Sequence, residues 1–173
     1  MDFNDGSRIA NIVGTFSLVV ADRQKAATNA AAELEASAPT ALVTIFTYPG
    51  ISVSKLSDTL QQSHSGTVRL VDRLQNEGLV VRARSNSDDA RAVTLTLTKS
   101  GQKRVQKVLK LRRDALTKIL APLSEQERGE FCGLIEKILS SLNHTVSDGY
   151  VICRLCELAV CPLERCPVAR SAK

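Results

Sequence analysis

Apolar residues recur at helical intervals from the start of the chain. Ile9, Ile12, Val13, Phe16, Val19 and Val20 form one stripe, and an Ala-rich continuation carries the period to Glu35. The pattern predicts one long helix over 8–35, or two broken near Asp22. Pro39 suits the first turn of a new helix, whose apolar face is Ala41 to Phe46 and which Pro49-Gly50 ends. Val53, Leu56 and Leu60 then mark a short helix after Ser52. Ser63 is placed to cap a second one, with Thr67, Leu70, Val71 and Leu74 inward and Gly78 just past its end. Two short helices joined by a tight turn form a helix-turn-helix.

After Gly78 the period drops to that of strands. Leu79 to Arg84 and the β-branched run Ala92 to Thr98 flank the polar turn-former Ser85-Asn-Ser-Asp-Asp-Ala, which predicts a hairpin. A hairpin directly after a helix-turn-helix is a wing. Helical spacing returns over Lys99 to Leu120, with Val105, Val108, Leu109, Leu116 and Ile119 on one side, until Pro122. Ser124-Glu-Gln-Glu127 has the capping-box pattern and opens a last helix bearing Phe131, Leu134, Ile135, Ile138 and Leu142, which Ser147-Asp-Gly149 closes. The expected fold is mainly α with a small β-hairpin wing, a winged helix-turn-helix of the α+β kind. Its regions are a helical dimerisation part (1–38 and 99–146), a winged helix-turn-helix DNA-binding domain (39–98) and a cysteine-rich tail (147–173).

Composition narrows the function. No apolar run reaches the ~18–20 residues of a membrane span, and the acidic start MDFNDGSRIANIVG lacks the basic and apolar regions of a secretory signal, so a cytoplasmic chain with no membrane partner is expected. Aromatics are only 3% of the residues, too few for a base-stacking single-strand platform. The net charge of +5 is unevenly placed. Between His64 and Arg113 stand twelve basic residues and four acids, so this stretch carries +8 and the rest of the chain −3. Lys99 to Arg113 alone fits a solvated helix face, but the stretch as a whole coincides with the predicted winged helix and points to nucleic acid. Catalysis is not expected: His64 and His144 sit in no nucleophile or metalloprotease motif, and no glycine-rich phosphate loop occurs.

The run Thr67-Val-Arg-Leu-Val-Asp-Arg-Leu-Gln-Asn-Glu-Gly-Leu-Val-Val-Arg82, then Asp89-Ala-Arg91, then Leu95-Thr-Leu-Thr98-Lys-Ser-Gly101, resembles the MarR family of winged-helix transcription regulators. The resemblance covers about residues 8–144. It implies a homodimer interlaced through its terminal helices, binding a pseudo-palindromic operator in double-stranded DNA, usually as a repressor. It also implies a small, often aromatic effector in a cleft between the dimerisation helices and the DNA-binding lobe. Two positions depart from the family pattern. Ala90 stands where the wing often has the first Arg of Asp-Arg-Arg, and Gly66 sits inside the recognition helix, where glycine costs ~1 kcal/mol relative to alanine. Close approach to the DNA backbone and simple drift explain Gly66 equally well. The Ala-rich segment 26–36 fits either a roomy or a closely packed interface.

In such a helix-turn-helix the first turns of the second helix meet base edges in the major groove. With Ser63 as cap, His64, Ser65, Val68, Arg69 and Asp72 face outward. Arg69 suits a bidentate guanine contact or, equally, a phosphate. His64 suits a base or phosphate contact, against a solvated cap residue, and Val68 an apolar contact such as a thymine methyl. Arg73 is expected to tie the helix to the wing or to phosphate. Arg82 and Arg84 are strand residues suited to phosphates. Arg91 would enter the minor groove with Asp89 orienting its guanidinium.

The remaining chemistry lies in the cysteines. Cys132, alone in the last helix, reads as a small buried hydrophobe. Cys153, Cys156, Cys161 and Cys166 follow the spacing C-x2-C-x4-C-x4-C, which is outside the common MarR pattern. Four thiolates within fourteen residues can surround Zn²⁺ tetrahedrally, the first choice of cofactor. An iron–sulfur cluster takes the same donor set, and reversible disulfides would make the tail a redox switch. Arg154 and Arg165, with backbone N–H groups near Cys156 and Cys166, are placed to offset the thiolate charge. The functional reading is a DNA-binding regulator modulated by a small ligand or by this centre. The alternative is a metal- or redox-buffering protein whose winged helix mediates protein contacts.

Overall fold

The computed structural model describes residues 6–33, 37–84, 93–142, 145–161 and 163–171. In chain order these form α1 (Gly6–Ala32), α2 (Ala38–Thr47), β1 (Ile51–Ser52), α3 (Val53–Leu60), α4 (His64–Asn76), β2 (Val80–Arg84), β3 (Val93–Leu97), α5 (Lys99–Ile119), α6 (Glu125–Ser141) and α7 (Val146–Ile152). A 3-10 turn at Leu163–Arg165 and α8 (Pro167–Ser171) complete the tail. The architecture is mostly helical with one small antiparallel sheet, as the periodicity predicts.

Local chemistry accounts for most boundaries. α1 runs unbroken past Asp22. α2 opens with Pro39 in its first turn and stops before Gly50, which takes a φ of +87° that a side chain would resist. The Ser52 hydroxyl accepts from Lys55 N–H at 3.2 Å and caps α3, and Gln61 in left-handed conformation ends it. Gly78, at φ +68°, turns the chain out of α4 into β2. The Ser124–Glu127 capping box opens α6, and its hydrogen bonds hold the Glu127 carboxyl below the usual range.

Two features differ from the expected layout. The hairpin β2–β3 forms in the register Arg82↔Leu95, but it is joined by β1, giving the strand order β1-β3-β2 with Ile51 opposite Leu95. Ser147-Asp-Gly149 does not close the last helix region. A second capping box, Thr145 with Asp148, opens α7 there, and Gly149 lies inside it.

The core gathers Leu42 and Ile45 of α2, Leu56 of α3, Val71 and Leu74 of α4, Val80 and Leu95 of the sheet, and Val105 and Val108 of α5. Ala31, Ala32, Ala38 and Ala41 are fully buried where α1, α2 and α5 meet, so the described end of α1 packs closely there, while Ala26 and Ala30 are exposed. Beside it, Arg104 donates to the Ala32 carbonyl, and Arg104 and Lys107 clasp Glu33, whose carboxyl their charges hold below its usual range.

A second joint links the wing to α5. The Thr98 hydroxyl donates to the Gly78 carbonyl at 2.6 Å and accepts from Gly101 N–H at 3.0 Å, while Thr98 N–H donates to the Leu79 carbonyl at 3.0 Å. A Cβ on Gly101 would stand 2.1 Å from the Leu79 oxygen, an overlap that only backbone displacement could relieve. Gly101→Ala is therefore expected to destabilise the fold by about 1–3 kcal/mol or more. Urea denaturation should show a lower midpoint, whereas Gly133→Ala, with open space around it, should not lower it.

Candidate nucleic-acid interface and the four-thiol cavity

α4 is built to present its first turns. The Ser63 hydroxyl accepts from Gly66 N–H at 3.2 Å, and Thr67, Leu70, Val71 and Leu74 anchor the opposite side in the core. His64, Ser65, Arg69 and Arg73 are exposed, and Val68 is half-buried. Arg69 and Arg73, one turn apart, line a polar groove with Ser37, Gln62 and Ser63. His64 and Val68 face Arg82 and Val93 of the wing strands across a second groove. Gly66 has a local reason to be glycine: an added Cβ would sit 3.1 Å from the Ser63 hydroxyl that caps the helix.

The charges divide differently from the expectation. Arg82, expected at a phosphate, pairs with Asp72 of α4 at 2.6 Å in this structure and links the helix to the wing, and Arg73, expected at the wing or at phosphate, is exposed. Along α5 the basic residues hold the protein together. Arg104 and Lys107 bind Glu33, Arg112 Nε donates to Gln24 at 2.9 Å, Lys110 pairs with Asp114, and Arg113 with Glu157. Exposed basic residues face solvent at Arg69 and Arg73 of α4 and at Lys99 and Lys103 in the first turns of α5. Arg84 ends β2, and Asp89 and Arg91 lie outside the described residues, as does the Ala90 departure.

The tail folds back on the helix-turn-helix. α7 packs on α3 and α8 on α6, and Leu155 packs against the core. The Tyr150 ring lies 5.0 Å from that of Tyr48, and Lys55 Nζ stands 4.5 Å from the Tyr150 centroid. Behind this contact Cys153, Cys156, Cys161 and Cys166 line one cavity of about 240 Å³ together with Tyr48 and Tyr150. All four are free thiols, with Cys166 buried. Cys153 donates to Cys156, which lets Cys156 hold charge: its thiol is drawn down to about 6, with Arg112 adding to the effect, while Cys153 is pushed up. Ala169 N–H donates to the Cys166 sulfur at 3.5 Å. Arg154 donates instead to the Val151 carbonyl, so Arg112, not Arg154, is the cation that acts on Cys156. Among the described residues no three His, Cys, Asp or Glu side chains are arranged to hold a single metal ion. Cys132 is exposed in the chain rather than buried, because α6 turns none of its residues into the core.

Residues 26–92 match the model of the MarR family. The transcriptional repressor MprA of Escherichia coli (strain K12) is 30% identical over 114 residues, covering 65% of this chain and 64% of that protein. The chain thus spans just under two thirds of the repressor's length. Among solved structures, RV1404 from Mycobacterium tuberculosis is similar with a TM-score of 0.70 and 21% identity, over 82% of this chain and 97% of that one. The MarR family protein Rv2887 from the same organism, in complex with DNA, gives a TM-score of 0.61 and 19% identity, over 75% and 95% of the two chains. These likenesses carry the fold. The tail 147–173 lies outside the segment that the family model matches.

The exposed arginines of α4 give distinct expectations. Arg69→Ala should cost about 1–3 kcal/mol and relax preference at one base position per half-site, and Arg73→Ala should weaken binding evenly and reduce the salt slope by about 1. Fluorescence anisotropy on base-substituted duplexes separates the two. An even loss for Arg69→Ala would assign that side chain to a phosphate.

Proposed function

From a MarR-family winged helix over residues 26–92, we infer that this chain is a DNA-binding transcription regulator acting as a homodimer on a pseudo-palindromic duplex site. Proteins of this family are transcription regulators, not enzymes. The observation that carries the reading is the capped, solvent-facing start of α4, with Arg69 and Arg73 directed away from a core that fixes the helix's other side. Supporting it is the DNA complex of the structurally similar Rv2887. Repression is the proposed direction, in line with the name of the relative MprA. Ser63, His64, Ser65, Val68, Arg69 and Arg73 form the proposed contact surface, with Arg84, Asp89 and Arg91 extending it along the wing. Such work on DNA would take place in the cytoplasm; no helix among the described residues is long and apolar enough to cross a membrane.

The dimer is supported by unpartnered apolar surface. α6 buries no residue within the chain, and Leu134 and Ile138 are 62% and 60% exposed. On α1, Ile9, Ile12, Val13 and Val19 are exposed at helical intervals. The Phe16 and Phe131 rings meet edge-on at 5.8 Å, so the two stripes join into one surface. An exposed apolar patch of this kind marks an interaction surface, and a two-fold copy presents the same stripe to itself. Pairing through these helices would space two α4 helices for half-sites about one duplex turn apart.

Two features support modulation. A cavity of about 550 Å³ between α2, α5 and the tail, bordered by Phe46, Leu109, Leu158 and the Arg113–Glu157 pair, is within the size range of small-ligand sites and supports the reading of a small effector. The docking of α7 on α3 gives the tail a direct hold on the helix-turn-helix.

Duplex selection from a random pool is expected to return a palindrome, bound with an affinity that falls steeply with salt. Equal affinity for that duplex and random DNA would overturn the reading. Light scattering should give twice the 18.7 kDa chain mass at micromolar concentration. Ile138→Glu should shift the protein to monomer and abolish tight binding to the full palindrome; a monomeric unmutated protein would overturn the dimer.

A further inference from the structure

The tail has few ordinary means of holding its shape. α7 has seven residues, the 3-10 turn three and α8 five. Helices this short do not persist in water without packing. Yet among the described residues beyond Thr145 only Cys166 and Val168 are buried, with Leu155 half-buried against the main core. Segments too small to build a core of their own are commonly stapled by disulfides or by a metal.

The tail's elements meet at its cysteines. Cys153 is the C-cap of α7, Cys156 closes a tight turn through its N–H on the Cys153 carbonyl at 2.8 Å, and Cys166 immediately precedes α8. Their thiols form one connected set. Cys153 donates to Cys156 and hydrogen-bonds with Cys166, and Cys161 hydrogen-bonds with Cys166. Two disulfides would call for two separate pairs, whereas here Cys166 is shared between Cys153 and Cys161.

We propose that Cys153, Cys156, Cys161 and Cys166 bind a single thiophilic divalent metal ion, one per chain, in a tetrahedral thiolate site of the zinc kind. The mutual contact of the sulfurs selects one ion. Four ligands at ~2.3 Å from one centre stand about 3.8 Å from one another, which is sulfur–sulfur contact. With the thiols protonated, each sulfur is engaged with a neighbour's S–H, and no three described side chains are aimed at one point. Loss of those protons removes the S–H hydrogen bonds and leaves four repelling thiolates, which a cation among them draws together. Each S–H bond is replaced by an S–metal bond, the protons leave to solvent and no electron is transferred. The ion offsets half of the thiolate charge. Arg112 stands beside Cys156 against the remainder, while Glu136 near Cys161 adds to it. The Ala169 N–H given to the Cys166 sulfur at 3.5 Å suits a ligating thiolate, and Tyr48 and Tyr150 wall the cavity that the thiols line.

The inference stands apart from the DNA-binding reading, because its test is metal content. The full chain is purified without oxygen, and its zinc, iron and acid-labile sulfide are measured per chain. Zinc or cobalt is then added to chelator-treated protein. One bound ion per chain, protons released on its addition and four tail thiols shielded from alkylation are expected. Cobalt should show the intense near-ultraviolet absorption of thiolate ligation. Zinc or iron at one per chain without sulfide supports the site and identifies its natural occupant. Cys156→Ser and Cys161→Ser should each lose the ion to a chelator that leaves it on the unmutated chain, while Cys132→Ser keeps it. Far-ultraviolet dichroism checks that each variant is folded; if a tail variant is not, thiol protection in the unmutated chain decides. Iron with an equal amount of sulfide would overturn the single ion in favour of a cluster. Two disulfides, or four thiols open to alkylation with zinc present, would overturn the metal site itself. Retention of the ion by a folded Cys156→Ser and Cys161→Ser double variant would overturn the ligand assignment.

Discussion

The contact on which the architecture turns is the seat of Thr98. Its hydroxyl gives a hydrogen bond to the carbonyl that ends α4 and takes one from the amide that starts α5, while its own N–H holds the first residue of the wing. Three elements therefore meet at one residue: the end of α4, the start of the hairpin and the first turn of α5. Gly101 sits against the Leu79 carbonyl so closely that no Cβ fits. The joint is rigid because it is made of backbone.

The second constraint is electrostatic, and it separates charge that binds outward from charge that binds inward. The basic run of α5, which by itself reads from sequence as a solvated helix face, gives five of its cations to Glu33, Gln24, Asp114 and Glu157. These partners are distant in sequence except Asp114. Exposed ion pairs of this kind contribute little stability each. The pairs to Glu33, Gln24 and Glu157 link α5 to α1 and to the tail, while Arg69 and Arg73 on α4 stay exposed. The Arg82–Asp72 pair does the same for the wing, fixing its base against α4.

The tail is a third layer rather than an appendage. Tyr150 inserts between Tyr48 and Lys55, so α3 is held on one side by α4 and on the other by α7. Burial pushes the Tyr48 hydroxyl upward, and the neighbouring Tyr150 and tail thiols act in the same direction, which keeps it neutral against the thiol cavity. α7, which carries Cys153 at its C-cap, rests on α3, and α3 packs on α4. In a helix-turn-helix the angle between those two helices decides whether the second one seats in the groove.

The sequence by itself determined the elements whose cause is local. Helical periodicity, the serine caps of α3, α4 and α6, the glycine after α4 and the β-branched run of β3 each depend on a few neighbouring residues, and the winged helix-turn-helix followed from them. Ser63, His64, Ser65, Arg69 and Arg73 were legible as an outward face for the same reason, since helical phase places them once Leu70 and Leu74 are inward. Tertiary structure decided what depends on distant partners. The two residues of β1 carry no period and become a strand only because β3 offers its edge. Arg82 is a salt-bridge residue because the wing folds back on Asp72, and the cations of α5 are structural because α1 and the tail lie alongside. Cys132 is exposed because α6 turns away from the core. Cysteine spacing grouped four thiols along the chain; only the fold brings them to line one cavity with Tyr48 and Tyr150, because that depends on where α7 and α8 dock.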